Sequence, residues 1–312
     1  MDQQDTVIDL SPTLRVLIVG GSGTLGSQLV SELAKVRSPR IQISVLVRER
    51  GRLPFDEQFL VDKKISVYEG NLDDELSLLT ACENQDVVVS TVQGDRGVIV
   101  NGQQNLLKAC LEAKVTKFIP SDYCLDYFLL PTGINRELDW RKEFAGWAIK
   151  HKSELAVVHL LTGILTEAVF GFLKVWDSVE RKFRIFSDPD TRFPMTSLDD
   201  ITRFIVEAVL EPEIVGKLPV CGEDISFAEI AERFELVNQE KVEVVQIGDV
   251  SNLESKVQEM NLREEKDTEE LIRLEYLLPI MKGEARFEEL KNSVFTSFKP
   301  RSFEQWLMKH RI

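Results

Sequence analysis

The feature that most constrains this chain is the run Gly20-Gly21-Ser22-Gly23-Thr24-Leu25-Gly26. It follows Leu14-Arg15-Val16-Leu17-Ile18-Val19, a short apolar run with the character of a strand buried on both faces. It opens a segment, residues 27–36, whose face of Leu25, Leu29, Val30, Leu33 and Ala34 has helical spacing. A second apolar run, residues 41–47, completes a strand–turn–helix–strand unit of about 35 residues. The glycines fit G-x-G-x-x-G from Gly21 and G-x-x-G-x-x-G from Gly20. Glycine permits the tight turn and a close backbone approach, while helix N-terminal N–H groups and the helix dipole favour an anion. In this setting the run points to a dinucleotide pyrophosphate held at Gly20, Gly23, Thr24, Leu25 and Gly26. The other reading is a glycine turn that only packs helix on sheet.

The alternation continues. Strands are expected at residues 65–68, 86–91, 117–120 and 155–161, and helices at 74–82, 101–113 and 140–150. Strands alternating with helices form a parallel sheet covered on both faces, because right-handed crossovers place the helices there. The expected fold is α/β: a Rossmann-type doubly wound parallel sheet over residues 13–162, with a return segment near 196–222. Residues 163–312 are expected to form mostly a smaller α/β C-terminal substrate lobe, with short strands at 183–186, 218–221 and 242–245 and helices at 198–210 and 227–234. Residues 249–275 hold nine acids and four bases, and read as a helical stretch with a solvated face, or as a partner or substrate cap.

The end of the second strand bears on which dinucleotide is held. NAD-selective sites carry an acid there, on the ribose 2′-hydroxyl. Here Arg48 follows the strand, 22 residues past Gly26, with Arg50 and Arg52 nearby. A guanidinium can clamp a 2′-phosphate, which a carboxylate would repel. NADP(H) is therefore expected, with Glu49 dissenting and a plain surface arginine as the rival reading. Asn71, after the third strand, is placed at the adenine edge or is simply a turn residue. Ser90-Thr91-Val92-Gln93, at the end of the fourth strand, are expected to line the nicotinamide side of the crevice, because ligands meet the carboxyl ends of a parallel sheet.

Composition excludes more than it identifies. The formal charge of −14 argues against a nucleic-acid groove or an anionic membrane surface as the main partner, and does not exclude a local basic pocket for one phosphate. Three His and four scattered Cys make a zinc site unexpected. Cys82, Cys110, Cys124 and Cys221 form no C-x-x-C pair and read as reduced thiols in a cytoplasmic protein, with Cys124 the candidate if one senses redox state. Residues 1–12 lack the basic and apolar regions of a secretory signal, and no apolar run approaches the roughly 20 residues of a membrane helix.

Several segments together resemble the NmrA-like and isoflavone-reductase-like family of atypical short-chain dehydrogenases/reductases. They are the glycine turn, Val47-Arg48, Asp86-Val87-Val88-Val89-Ser90, Gln103 with Leu106 and Ala109, and Lys117-Phe118-Ile119-Pro120-Ser121-Asp122. Thr196-Ser197-Leu198-Asp199-Asp200-Ile201 resembles the family's return into the sheet. The resemblance implies that Gln103 and Ser121 join the cofactor site. It also implies a catalytic lysine on the helix after the P-S-D turn, where K-x-x-x-R-x-x-I places Lys142 seven residues before Ile149. An ammonium there can stabilise an oxyanion or relay a proton. Departures are Gly146 at a position often basic, Tyr123-Cys124 in place of Phe-Gly, and Arg141 beside Lys142, where a shift of one residue would turn arginine to the cofactor.

The usual Tyr-x-x-x-Lys pair is absent, since none of the four tyrosines has a lysine four residues on. His151 and His159 read more readily as satisfied structural histidines than as general acids. Phe170, Phe172 and Trp176 lie where the family forms its substrate pocket, or are core, with Phe172 and Trp176 taken as one helix face. Two functions fit: an NADPH-dependent reductase of a small aromatic or enone/quinone-type substrate, or an NADP(H)-binding regulator that acts on a protein partner without turnover. Fold alone does not separate them.

Overall fold

The computed structural model describes residues 13–37, 40–263 and 268–310. The N-terminal segment 1–12 and residues 264–267 of the acidic stretch lie outside the described residues. The first half runs β1 (Leu14–Val19), α1 (Thr24–Leu33), β2 (Ile41–Val47), α2 (Glu57–Asp62), β3 (Ser66–Glu69), α3 (Glu75–Cys82), β4 (Val87–Ser90), α4 (Gln103–Glu112), β5 (Lys117–Ile119), α5 (Arg136–Ala148) and β6 (Ala156–Leu161). There follow β7 (Ile164–Leu165), α6 (Thr166–Phe170), β8 (Trp176–Asp177), β9 (Lys182–Ile185), β10 (Arg192–Thr196), α7 (Leu198–Leu210), β11 (Gly216–Pro219), β12 (Glu223–Ser226), α8 (Phe227–Asn238), β13 (Glu243–Gln246), α9 (Val250–Leu262), α10 (Glu269–Met281) and α11 (Phe303–His310).

Seven parallel strands form the main sheet in the order β11-β6-β5-β4-β1-β2-β3. This is a Rossmann-like α/β fold. The direction of strand order reverses at β1, between β2 and β4, so the crevice beyond the carboxyl ends of β1 and β4 is the expected ligand position. Val16 to Val19 and Val87 to Val89 are buried, as strands covered on both faces require. Leu29, Val30 and Leu33 of α1 pack on one face with Ile201, Phe204 and Ile205 of α7. Leu78 of α3, Leu106 of α4 and Phe144 of α5 pack on the other.

Two three-stranded sheets, β12-β10-β7 and β13-β9-β8, share a third core with α6, α8, α9, α10 and α11. After β10 the chain re-enters the main sheet through α7 and β11 before leaving again at β12. Asp199 fastens this return to both halves, because its carboxylate accepts from Gln28 of α1 at 2.5 Å, from Arg301 at 2.6 Å and from Lys309 of α11.

Three local differences from the sequence expectation matter. Helix α5 starts at Arg136 rather than near residue 140, because Asn135 caps it by accepting from the Leu138 N–H at 3.0 Å. The acidic stretch is two helices, α9 and α10. Each buries an apolar stripe, Leu253, Val257 and Met260 in one and Leu271, Leu274 and Leu278 in the other. Helix α6 ends at Phe170, so Phe172 and Trp176 share no helix face.

Candidate active site

The glycine turn is shaped by close approach. Gly20 sits at φ +91°, a left-handed conformation that favours glycine. A Cβ on Gly26 would lie 2.4 Å from the Gly20 carbonyl oxygen and 2.6 Å from Thr91 Oγ1. Thr91 Oγ1 itself donates to the Val19 carbonyl at 3.0 Å, locking the ends of β1 and β4 together beneath the turn. Gly23 precedes α1, whose first turn carries no acidic residue, so its outward N–H groups are free of a competing carboxylate.

The arginines beyond β2 differ in availability. Arg50 pairs with Glu57 at 2.7 Å, and Arg52 pairs with Glu49 at 2.9 Å. Arg48 is exposed and has no acidic partner among the described residues. The dissenting Glu49 is thus engaged by Arg52. Asn71 is an exposed turn residue whose Oδ1 accepts from the Asp73 N–H at 3.4 Å. Ser90 is fully buried, and its Oγ has no partner. Gln103 is also fully buried and directs both ends of its amide into the protein, to the Ser121 N–H at 2.9 Å and the Ile99 carbonyl at 3.0 Å. It therefore positions the Ser121 turn. Ser121 Oγ donates to the Val92 carbonyl at 2.7 Å.

A cavity of about 620 Å³ opens at this crevice. Its lining runs from Gly23, Thr24 and Leu25 past Thr91 and Ser121 to Phe172 and Tyr276 in the C-terminal lobe. Arg141 is in the lining and Lys142 is not. The Lys142 ammonium donates to the Leu130 carbonyl at 2.7 Å. The one-residue step between them is about 100° around the helix, and the buried face of α5 (Glu137, Leu138, Arg141, Phe144, Ala145, Ala148) takes Arg141 inward.

Arg141 is held firmly. Its guanidinium donates to the Ser121 carbonyl at 3.2 Å, the Glu137 carbonyl at 2.9 Å and Gln93 Oε1 at 3.1 Å. Burial opposes its charge, but Tyr276, Cys124, Glu137 and Asp122 around it raise its pKa, so it stays cationic. Glu137 Oε2 accepts from the Tyr276 hydroxyl at 2.9 Å and from Gln93 at 3.3 Å. Burial, with Glu137 beside it, pushes the Tyr276 phenol well above its usual range. Helix α10 is thereby pinned onto α5, and Arg136 paired with Glu275 at 3.0 Å repeats the tie at the neighbouring residue of each helix. Glu167 accepts from the Trp306 indole at 3.1 Å on the opposite wall.

The remaining candidates separate cleanly. Cys124 lines the cavity, but burial raises its thiol far above the usual value, so it is not a thiolate. Phe170 stacks on Phe303 and Trp306, and Trp176 packs on Phe183 and Phe234, which makes both core. Phe172 faces the cavity and meets Tyr276 edge to face, with centroids 6.2 Å apart. Among the described residues no group of His, Cys, Asp and Glu has the arrangement of a metal site. No described helix is long and apolar enough to cross a membrane.

The sequence profile of the NmrA-like family matches residues 12–307. The chain belongs to the NmrA-like family. An isoflavone reductase homolog from Nicotiana tabacum is 32% identical over 228 residues, covering 67% of this chain and 68% of that protein. A second such homolog from the same plant is 33% identical over 122 residues, which spans 38% of this chain and only 37% of the relative. The solved structure of isoflavone reductase superposes with a TM-score of 0.77 at 17% identity, covering 96% of this chain and 99% of that one. The structure of AtPrR2 with NADP+ and (+)pinoresinol gives 0.73 at 20% identity, covering 96% and 99%. Within this NmrA-like chain Gln93, expected at the crevice with the end of the fourth strand, is in the cavity lining, whereas the sequence gives no expectation for its partners Glu137 and Tyr276. The one available signal was Glu137 and Arg141 at i, i+4, legible once α5 is started at its Asn135 cap.

Proposed function

We propose that this NmrA-like protein is an NADPH-dependent reductase of a small, flat substrate of aromatic, enone or quinone type. The observation that carries this reading is the continuity of the cavity from the glycine turn to the apolar wall of Leu165, Ala168, Phe172 and Leu173. Cofactor and substrate would share one space. Gly20, Gly23, Thr24, Leu25 and Gly26 would hold the pyrophosphate, Arg48 the 2′-phosphate, and Thr91 and Ser121 the side of the crevice toward the substrate. The fit rests on the acid-free first turn of α1 and on Arg48, which has no acidic partner among the described residues. When bound, NADPH supplies a hydride.

The chain's own groups do the rest. Arg141, cationic and buried at the wall, stabilises negative charge as it develops on the substrate oxygen. Phe172 and Tyr276 bound a slot for a planar ring. The role expected of Lys142 passes to Arg141, because the Lys142 ammonium is tied to the Leu130 carbonyl. Four free, buried cysteines support a cytoplasmic setting.

NADPH oxidation is to be followed against quinones, enones and phenylpropanoid-like compounds, with Arg141→Met and Lys142→Ala in parallel. Turnover by the wild type, lost in Arg141→Met and kept within about twofold in Lys142→Ala, is the expected result. The rival reading is a regulator that holds NADP(H) without turnover, and it draws on the absence of Lys142 from the cavity lining. Tight NADPH binding with no oxidation of any acceptor would favour it.

A further inference from the structure

Beyond the glycine turn, the cavity wall carries a fixed positive charge, Arg141, and turns its hydroxyl and thiol hydrogens away from the interior. Thr91 Oγ1 donates to the Val19 carbonyl at 3.0 Å, and Ser121 Oγ to the Val92 carbonyl at 2.7 Å. The Tyr123 hydroxyl donates to the Ser90 carbonyl at 3.0 Å, and Cys124 Sγ to the Leu125 carbonyl at 3.5 Å. The Tyr276 hydroxyl donates to Glu137 at 2.9 Å. Carbonyl and carboxylate oxygens only accept, so each of these hydrogens points into the protein. The Asp122 side chain is fully buried behind the wall, against His159 Nδ1 at 2.8 Å. Glu167 accepts from the Trp306 indole at 3.1 Å and the Leu198 N–H at 3.3 Å. No histidine or lysine is among the described residues of the lining, and the Lys142 ammonium is spent on the Leu130 carbonyl. Burial raises the Tyr123 and Tyr276 phenols and the Cys124 thiol well above their usual range, and Arg141 stays cationic. An oxyanion formed here meets a cation that stabilises it and no side chain that protonates it.

We propose that the cavity selects acceptors whose hydride adduct is already a stable anion, namely quinones, and that the hydroquinone leaves as its monoanion and takes its proton from solvent. This rests on the reductase reading and narrows its substrate class. One quinone oxygen accepts the hydride, with its two electrons and one hydrogen, and an O–H bond forms there. The π electrons close the aromatic ring, and the negative charge settles on the other oxygen, where the Arg141 guanidinium stabilises it. Solvent adds one proton after release, so NADPH, quinone and one proton give NADP+ and hydroquinone. A phenolate is a weak enough base to leave unprotonated, its acid having a pKa of about 10. An isolated ketone or aldehyde gives instead an alkoxide, a base comparable with hydroxide, whose acid, water, has a pKa of about 15.7. Such a product needs a proton in the same step, and the wall offers none. The aromatic slot of Phe172 and Tyr276 suits the flat quinone ring.

The test follows NADPH oxidation by the wild type with a naphthoquinone and with a naphthaldehyde of the same ring size, in H2O and in D2O. Quinone turnover is expected to exceed aldehyde turnover by about 100-fold or more, the contribution a general acid would have made, and to show no solvent isotope effect on kcat. Independently of turnover, a nitrophenol is added to the cofactor-free protein at a pH where the free phenol is protonated. Bound to the wild type it should take the absorption spectrum of its phenolate, and Arg141→Met should abolish that spectrum. Aldehyde turnover within about tenfold of quinone turnover, a clear solvent isotope effect, or a nitrophenol that binds neutral overturns the proposal and leaves the reductase reading standing. A wild type that binds NADPH yet reduces no acceptor overturns both.

Discussion

At one end of the cavity the lining residues are Gly23, Thr24 and Leu25, from the single contiguous turn Gly20 to Gly26. At the other end they are Gln93, Arg141 and Tyr276, from the loop after β4, from α5 and from α10, tied together by Glu137 of α5. The first end is set by local geometry, since a strand, a tight turn and a helix N-terminus create the anion site wherever they occur in this order. The second exists only when distant segments pack in register. A 100° rotation of α5 would exchange the guanidinium of Arg141 for the ammonium of Lys142. The two ends should therefore fail differently when mutated.

The largest effect is expected at the assembled end. Glu137→Ala leaves Arg141 buried without its nearby carboxylate and removes the acceptor for Tyr276 and Gln93. It should cost about 3–5 kcal/mol of stability, read from the denaturant midpoint, whereas Glu137→Met combined with Arg141→Met should cost clearly less. A cost below about 1 kcal/mol for Glu137→Ala would mean that the cluster does not hold the lobes together. At the glycine end, Gly26→Ala drives a Cβ to 2.4 Å from the Gly20 carbonyl. It should cost about 1–3 kcal/mol and abolish measurable NADPH binding in calorimetry, because backbone must shift at the proposed phosphate site. Arg48→Ala touches only the exposed rim. It should leave stability unchanged while erasing a ~10- to 100-fold preference for NADPH over NADH. Equal affinities in the wild type would remove Arg48 from the site.

Legibility in the sequence follows the same division. The β1–turn–α1–β2 unit and the alternation of strands and helices that makes a parallel sheet are written in contiguous patterns of apolar runs and glycines, so both can be read directly. The position of Arg48 directly after β2 is legible for the same reason. Lys142 is expected at the site only from the family's K-x-x-x-R-x-x-I spacing before Ile149, with Arg141 one residue away as the alternative, and that spacing does not fix the rotation of α5. Begun at the Asn135 cap, positions 137, 138, 141, 144, 145 and 148 form a single face that carries Arg141 inward. Tyr276 had no local signal at all. It belongs to a stretch read as a solvated acidic face, and its role depends on meeting Glu137 of α5. The His159–Asp122 contact joins β6 to the loop after β5, and residue spacing does not encode it.

The smallest effect sharpens the comparison because it concerns a residue that serves both ends. Asp199 lies in the first turn of α7 and binds Gln28 of α1, behind the glycine turn, together with Arg301 and Lys309 near the C-terminus. Burial works against its carboxylate, but the hydrogen bonds from Lys309, Arg301 and Gln28 outweigh it and hold the folded pKa well below the ordinary 3.8. A carboxyl group depressed on folding contributes stability that is complete above its unfolded pKa and is lost as pH falls through that value toward the lower folded one. Asp199→Asn keeps the shape and a bond to Gln28 but removes the charge. The side chain is about a quarter exposed and solvent screens it, so the cost at pH 7 should stay below about 1 kcal/mol. Urea midpoints should differ at pH 7 and converge as pH falls below about 4. A gap that persists unchanged at pH 3 would show that the contribution of Asp199 is steric rather than ionic, and that α1 and the C-terminal helix are joined by packing alone.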